Sequence, residues 1–187
     1  MFLHGTFTLA RHSVEPPEFV RRWEVVYDSK LELIYDRNIG QPLTAERVIA
    51  LFVWKNGGPL SHQKTASVTR NYIARLPELA TLDSRTSAEA FLRRFRTGGA
   101  IWRIFWLHLW APNRFPIYDQ HVHRAMAWIQ TGRGEELPVT DVAKVHSYLD
   151  RYLPFRTLFA DLDSRRVDRA LWGCGKCMKA LATAPID

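Results

Sequence analysis

Apolar side chains recur along this chain at the three- and four-residue spacing typical of α-helices. No stretch shows the apolar–polar alternation, bounded by tight turns, that a strand would need. The spacing and the candidate caps predict a helix over about 17–35, helices that begin after Thr44, Ser61, Thr86, Asp119 and Thr140, a helix over 101–110 that is apolar almost all round, and a last helix near 164–182. The sequence therefore predicts an all-α fold.

Turn-forming residues mark where these helices should stop. The second helix should end at Asn56-Gly57-Gly58-Pro59, and the helix after Asp119 should end at Thr131-Gly132. Thr86 and Glu89 have the spacing of a capping box. Pro, Thr, Asp and Ser cluster over residues 77–86, which predicts a boundary between two lobes of a single domain spanning 1–187. We expect a two-lobed helical bundle with a cleft between the lobes.

The charge of the chain favours a polyanionic partner. Lys and Arg outnumber Asp and Glu by 26 to 19, which gives a net charge of +7. Basic proteins of this kind bind nucleic acid through phosphate contacts and counterion release. The chain has two cysteines, too few for a disulfide framework, and no apolar run of membrane-spanning length. Without a recognisable secretory signal at its N-terminus, we expect a soluble, monomeric protein of the cytoplasm.

The residues that suggest chemistry lie between Thr97 and Arg124. Gly98 and Gly99 can adopt positive φ and carry no β-carbon, so their backbone N–H groups could approach a phosphate where the next helix begins. Asp119 follows a proline-containing loop and should cap the helix after it. Both features also have ordinary structural explanations, as an interhelical turn and as a helix cap.

The segment Phe115-Pro116-Ile117-Tyr118-Asp119-Gln120-His121-Val122-His123-Arg124 resembles the Pro/Asp element of the helix-hairpin-helix (HhH-GPD) DNA glycosylases. It is most similar to the Phe-Pro-Ile-x-Asp-x-x-Val-x-Arg form of their adenine-glycosylase branch. In that family a hairpin precedes the aspartate by about eighteen residues, and Thr97-Gly98-Gly99 lies at a comparable distance from Asp119. The resemblance covers roughly residues 86–130.

This resemblance implies a function and a set of site residues. The protein would flip a damaged or modified base out of double-stranded DNA and hydrolyse its N-glycosidic bond, without a cofactor and in association with the nucleoid. Asp119 would be the catalytic group. The hairpin contacts with the DNA backbone would come from Arg96, Thr97, Gly98, Gly99 and Arg103. The walls of the base pocket would be drawn from Trp54, Trp102, Phe105 and Trp172.

One departure from the family bears on the mechanism. Members that also cleave the strand carry a lysine just after the hairpin, where this chain has Ala100-Ile101-Trp102. Its absence predicts a monofunctional glycosylase that leaves an uncut abasic site. Lys55 and Lys64 are the alternative candidates for a Schiff-base lysine, which would make the protein a bifunctional glycosylase and lyase.

Other chemistry has weaker support. His121 and His123 are two residues apart, so on a helix they point away from each other rather than towards one metal ion. Cys174 and Cys177 form a single Cys-x-x-Cys pair that helical spacing accounts for as packing, so no metal site is predicted. A helix-hairpin-helix module that binds DNA without catalysis and a helical protein–protein adaptor both remain open, as does the identity of the excised base.

Overall fold

The computed structural model describes residues 14–183, and every regular element among them is helical. The α-helices are α1 Pro16–Trp23, α2 Glu32–Asn38, α3 Ala45–Asn56, α4 His62–Asn71, α5 Leu76–Leu79, α6 Ala88–Arg94, α7 Ala100–Trp110, α8 Gln120–Thr131, α9 Asp141–His146, α10 Leu153–Arg156 and α11 Ser164–Thr183. Short 3-10 segments lie at Glu24–Val26, Ile73–Arg75 and Thr157–Phe159, and a π-helical segment lies at Ser147–Tyr152. The predicted all-α class is confirmed.

Several helices begin and end where their local sequence predicts. Thr44, Ser61 and Thr140 each accept a hydrogen bond from the backbone N–H three residues further on, at 3.3, 3.3 and 3.2 Å. Helices α3 and α8 end at Gly57 and Gly132, whose φ angles of 74° and 71° lie in the left-handed region that favours glycine. These boundaries confirm the predictions from capping and turn residues.

The helix predicted over 17–35 is wrong, because the chain breaks near its middle. Helix α1 ends at Trp23, and after a 3-10 turn the backbone becomes extended at Tyr27. The Asp28 carboxylate then accepts a hydrogen bond from the Lys30 backbone N–H, which stabilises a local turn in place of a helical one. Helix α2 follows as a separate element beginning at Glu32. The extended segment matters for function because it forms one wall of the cleft described below.

The capping box at Thr86 is also displaced, by one residue. Ser87 is the residue whose hydroxyl accepts from the Ala90 N–H and begins α6. The Thr86 hydroxyl instead donates to the Asp83 carboxylate in the preceding turn. Both residues have side chains suited to capping, so local sequence did not separate them, and the neighbouring Asp83 decides the outcome.

Two predicted helices are shorter than their apolar spacing suggests. The helix after Thr140 keeps regular α geometry only over α9 and then widens into the π-helical segment Ser147–Tyr152. This segment buries Tyr148 and Tyr152 completely. Similarly, the helix after Ser61 ends at Asn71, and a new short helix with proline in its first turn carries the chain to Leu79.

Buried residues of α7, α8 and α11 belong to one hydrophobic core. Most of α7 is buried, as its apolar sequence predicts. Helices α8 and α11 make the most extensive contact between elements, and Gly175 lies directly against the backbone carbonyl of His121 at their crossing. This close approach places the beginning of α8 beside the middle of α11. The lobe boundary predicted over 77–86 covers most of α5 and the turn before α6, and it stays a prediction.

Candidate active site

Asp119 begins α8 as its N-cap, as predicted. Its Oδ1 accepts hydrogen bonds from the backbone N–H groups of His121 at 2.9 Å and Val122 at 3.1 Å. These bonds satisfy two donors that no helical carbonyl reaches. Its other oxygen, Oδ2, is left to face a neighbour from a different helix.

That neighbour is Lys55, in the last turn of α3. Its Nζ donates to Oδ2 of Asp119 at 2.9 Å and lies 3.4 Å from the carbonyl oxygen of Tyr118. The two side chains are only 6% and 18% exposed, so this is a largely buried ion pair. Burial alone would raise the pKa of the Asp119 carboxyl, but the Lys55 ammonium and the helix N–H groups hold that pKa below its usual value. Asp119 is therefore an ionised carboxylate in an enclosed position.

The ion pair lies at a cleft of about 800 Å³. Three tryptophans proposed as pocket walls, Trp54, Trp102 and Trp172, line this cleft. The other lining residues are Tyr27, Asp28, Lys30, Leu31, Lys55, Asn56, Gly57, Gly58, Pro59, Ile101, Ile117, Asp119, Gln120, His121, Val122, Leu137, Arg165, Asp168 and Lys176. Aromatic and apolar walls with a few charged groups are typical of sites that hold a small organic group.

Phe105, the fourth predicted pocket residue, is in the core instead. It is fully buried, and its ring stacks against the inner side of Trp54 with centroids 5.8 Å apart. Its ring also lies 5.7 Å from Lys55 Nζ. Contrary to the prediction, Phe105 is therefore a core residue and is not among the residues that line the cleft.

Trp54 is held between several partners. Besides Phe105, the Tyr35 ring packs against it at 4.5 Å, and the Arg165 guanidinium lies 5.1 Å from its ring centre. Arg165 is fixed in turn by two hydrogen bonds to the Glu32 carboxylate, at 2.8 and 2.7 Å. Although it lies in an arginine-rich helix, Arg165 packs into this aromatic group. A wall built this way can present a rigid indole to a ligand.

Trp172 forms the opposite aromatic wall, at the α8–α11 crossing. The rings of His121 and Tyr27 contact it edge-on at 5.1 and 5.2 Å, and the Lys176 ammonium lies 4.7 Å from its ring centre. Trp172 is partly exposed, so part of the indole faces the cleft. Lys176 adds a positive charge beside it.

The loop that carries Asp119 is anchored from behind. His108 is buried between the Phe115 carbonyl and the Tyr35 hydroxyl, with both hydrogen bonds at 2.7 Å. Burial lowers the pKa of His108 to about 3, so the ring is neutral and uses one nitrogen as donor and the other as acceptor. On the other side, the Tyr118 hydroxyl lies 2.8 Å from both His123 Nδ1 and Ser147 Oγ. These contacts fix the backbone on which Asp119 stands.

The glycine pair lies at the turn between α6 and α7. Gly98 and Gly99 have φ angles of 94° and 79°, and the Gly98 carbonyl accepts a hydrogen bond from Tyr72 at 3.0 Å. Gly99 is the N-cap of α7 and, having no side chain, leaves the first backbone N–H groups of that helix without a side-chain cap. Arg96 and Thr97 are exposed beside this turn. Helix α7 then contributes Ile101 and Trp102 to the cleft.

Two predicted site residues are placed elsewhere by the structure. Arg103 is buried, and its guanidinium donates to the Arg96 carbonyl at 3.1 Å, so it supports the turn from inside and does not present a charge to a phosphate. Lys64 is exposed on α4 and donates to the Asn56 side chain at 2.6 Å, apart from Asp119. Arg103 therefore does not lie on the exposed surface of the turn, and Lys64 is not among the residues that line the cleft with Asp119.

The predicted divergence of His121 and His123 is confirmed. His121 contacts Trp172 at the cleft, whereas His123 is fully buried in the hydrogen bonds behind the loop. Cys174 is also buried, and burial raises the pKa of its thiol to about 12, as expected of a packing residue. Among the described residues, no group of three or more His, Cys, Asp or Glu side chains could hold a metal ion.

Asp168 was missed by the sequence analysis. It lies on α11 between the exposed Arg166 and the half-buried Arg169, yet it is only 4% exposed and contributes to the cleft. Its neighbours Arg165, Arg166 and Arg169 are charged, so charge alone did not mark Asp168 as different from a solvent-facing residue. The available signal was its position three residues before Leu171, on the buried face of the helix.

Comparison of the chain with protein-family models, with characterised proteins and with solved structures gives no significant match. Across residues 14–183, no helix has the combined length and apolar character needed to cross a membrane.

Proposed function

We propose that this protein is a DNA glycosylase that flips a damaged or modified base into the Trp54–Trp172 cleft and hydrolyses its N-glycosidic bond. The observation that carries the proposal is the buried Asp119 carboxylate, paired with Lys55 at 2.9 Å on the wall of an aromatic-lined cleft. A structural helix cap needs neither a buried cation nor an adjoining cavity. A base-excising enzyme needs both an enclosed anion and flat apolar walls.

The chemistry assigned to Asp119 follows from its charge. As the bond from the sugar C1′ to the base breaks, the base takes the bonding electron pair and the sugar gains cationic character. The ionised Asp119 carboxylate stabilises that cation and orients a water molecule towards C1′. The water oxygen bonds to C1′, and the proton that the water loses is balanced by the proton that the departing base gains, which leaves an abasic site and a free base. Lys55 keeps the carboxylate ionised before the reaction begins.

The turn between α6 and α7 supports the DNA-binding part of the proposal. A β-carbon at Gly99 would meet open space, so a phosphate has room to approach there, and the uncapped N-terminus of α7 offers backbone N–H donors. Arg96 and Thr97 lie exposed at the same place. The chain as a whole carries a net charge of +7, which attracts it to DNA. At this turn it can bind the DNA backbone without reading its sequence.

A second candidate, the bifunctional glycosylase and lyase, is favoured by one observation. Just after the glycine turn, where a lyase of this kind would carry its lysine, this chain has Ile101. Lys55 nevertheless places an amine in the same cleft, in contact with Asp119. If Lys55 attacked C1′ after losing its proton, the product would be a Schiff base that borohydride reduces to a stable cross-link. Trapping that depends on Lys55 and not on Lys64 would support this version. Without trapping, the hydrolytic version stands.

The test is base release from a panel of modified duplexes, followed by hot alkali to break abasic sites. We expect Asp119→Asn to reduce release by about 10²-fold or more, since it removes the anion but retains capping ability. Asp163→Asn is the matched control, because Asp163 also caps a helix, α11, but is exposed and is not among the residues that line the cleft. It should leave activity unchanged.

Two outcomes would overturn the proposal. If no duplex in the panel loses a base while salt-sensitive binding to duplex DNA persists, the protein is a non-catalytic DNA-binding module. If the protein also fails to bind duplex DNA at low salt, it is neither a glycosylase nor a DNA-binding module, because phosphate contacts strengthen steeply as salt is lowered.

A further inference from the structure

The cleft also contains a buried acid, Asp168, which has no role in the mechanism proposed above. It lies in the middle of α11, is 4% exposed and contributes to the wall that holds Asp119 and Lys55. Its Oδ1 has no hydrogen-bond partner within the described part of the chain. Its nearest cation is Arg156, whose Nη2 lies 3.7 Å away, beyond hydrogen-bond distance. Buried polar atoms without a partner are rare in folded proteins, and a catalytic role is one of the reasons for which they are kept.

The groups around Asp168 come from several elements. The cations that act on it are Arg156 from α10, Arg165 from its own helix and Lys55 from α3, and its charge in turn acts to raise the pKa of the phenols of Tyr35, Tyr148 and Tyr152. Burial raises the pKa of Asp168 to about 6, although all three cations and a backbone hydrogen bond from Ile117 act to lower it. Loss of water contact therefore outweighs the favourable groups nearby.

The cleft thus holds two carboxyls in contrasting environments. Asp119 accepts two backbone hydrogen bonds and an ammonium, so it is ionised. Asp168 lacks a comparable set of hydrogen bonds, so it can carry a proton close to neutral pH. Two acids held in opposite states within one site are a recurrent arrangement for dividing the roles of general acid and electrostatic stabiliser.

We infer that Asp168 is a second catalytic residue, the general acid that protonates the departing base, and that the preferred substrates are uncharged modified bases. This inference rests on the proposed glycosylase function. As the bond from C1′ to the base breaks, the base nitrogen or exocyclic oxygen takes the proton from the Asp168 hydroxyl, which leaves a carboxylate. The proton released by the attacking water restores Asp168 through solvent. An uncharged base needs this proton in order to leave, whereas a cationic alkylated base does not.

The experiment compares two kinds of substrate under single-turnover conditions. One duplex carries an uncharged base that the wild-type protein excises, and the other carries 7-methylguanine, which is already cationic. We expect Asp168→Asn to slow release of the uncharged base by about 10²-fold or more, the usual range for general acid catalysis, and to change 7-methylguanine release by less than about threefold. Asp168→Glu should restore part of the rate. Asp163→Asn again serves as the exposed control.

The pH profile separates catalysis from a structural role. For the uncharged base, the wild-type rate should fall as pH rises above about 6, and Asp168→Asn should lose this dependence. Binding to a duplex with a tetrahydrofuran abasic analogue should be unchanged in the variant. Equal slowing on both substrates, or weakened analogue binding, would indicate a structural role and overturn the inference.

The remaining outcomes are also decisive. If Asp168→Asn fails to fold, the wild-type profile decides alone, and a rate that does not fall above pH 6 overturns the inference. If the wild type is active and Asp168→Asn matches it on both substrates, this inference fails while the proposed function stands. If no protein releases any base, both fail together.

Discussion

Replacing Lys55 with methionine tests the ion pair on which the candidate site depends. Methionine keeps much of the buried aliphatic stem but removes the ammonium 2.9 Å from Asp119. Removing one partner of a buried pair typically costs about 3–5 kcal/mol, because the other charge is left without compensation. Asp119 keeps two backbone hydrogen bonds and is 18% exposed, so we expect the lower end, about 3 kcal/mol, at pH 7.

The pH dependence of this loss has a definite sign. In the wild type the pKa of Asp119 lies below its unfolded value of 3.8, so its stabilising contribution is present above pH 3.8 and is lost as pH falls through the folded pKa. In Lys55→Met, burial acts without a counter-charge and raises the pKa of Asp119. The variant therefore becomes less stable, relative to the wild type, as pH rises. The difference should be largest at pH 7 and should shrink towards pH 4.

Urea unfolding at pH 4 and pH 7 measures this difference. A double-mutant cycle with Asp119→Asn isolates the coupling between the two side chains, which we expect to be about 2 kcal/mol at pH 7. Lys64→Met is the matched control, since Lys64 is exposed, and its effect should stay within about 0.5 kcal/mol. A coupling below about 0.5 kcal/mol, or a difference that does not depend on pH, would refute the buried ion pair.

Three further predictions concern single substitutions. Gly98→Ala should destabilise the protein by at least about 2 kcal/mol in thermal or urea unfolding, because φ is 94° and a β-carbon would overlap the Tyr72 ring. Gly175→Ala should be as damaging, since a β-carbon would overlap the backbone carbonyl of His121, and circular dichroism melts would show it. Asp168→Asn should gain up to about 3 kcal/mol of stability relative to the wild type between pH 4 and pH 7, because the folded pKa of Asp168, about 6, exceeds the unfolded 3.8 and the wild type loses stability as pH rises between them.

These three predictions share simple checks. Gly134→Ala is the control for the glycine variants, because Gly134 has no positive φ and a β-carbon added there would meet open space. An Asp168→Asn variant whose stability advantage is the same at pH 4 and pH 7 would contradict the raised pKa. Glycine variants as stable as the Gly134 control would contradict the close packing at the turn and at the helix crossing.

Helix boundaries followed from sequence when a single side chain controlled them. Thr44, Ser61, Asp119 and Thr140 cap their helices through hydrogen bonds that span two or three residues. Such bonds depend on local sequence alone. The boundary near Tyr27 did not follow, because apolar spacing continues through a break that a local turn imposes.

The site could be predicted only in part. Spacing along a helix identified aromatic residues but did not separate Trp54, which lines the cleft, from Phe105, which supports it from the core. Both fall on apolar positions, and only the rotation of each helix against its neighbours decides which ring is reached by a ligand. The same reason explains the burial of Arg103.

The sequence by itself determined the all-α class, the glycine turn before α7 and the aspartate that begins α8. Only the tertiary structure decided that Lys55, 64 residues earlier in the chain, and Asp168, from the last helix, share a cleft with Asp119. Capping and turn formation are settled within a few residues, whereas the state of a carboxyl depends on charges and burial supplied by distant segments. Neighbouring residues in the sequence identify Asp119 as a helix cap, whereas its buried partner, Lys55, can be identified only from the folded structure.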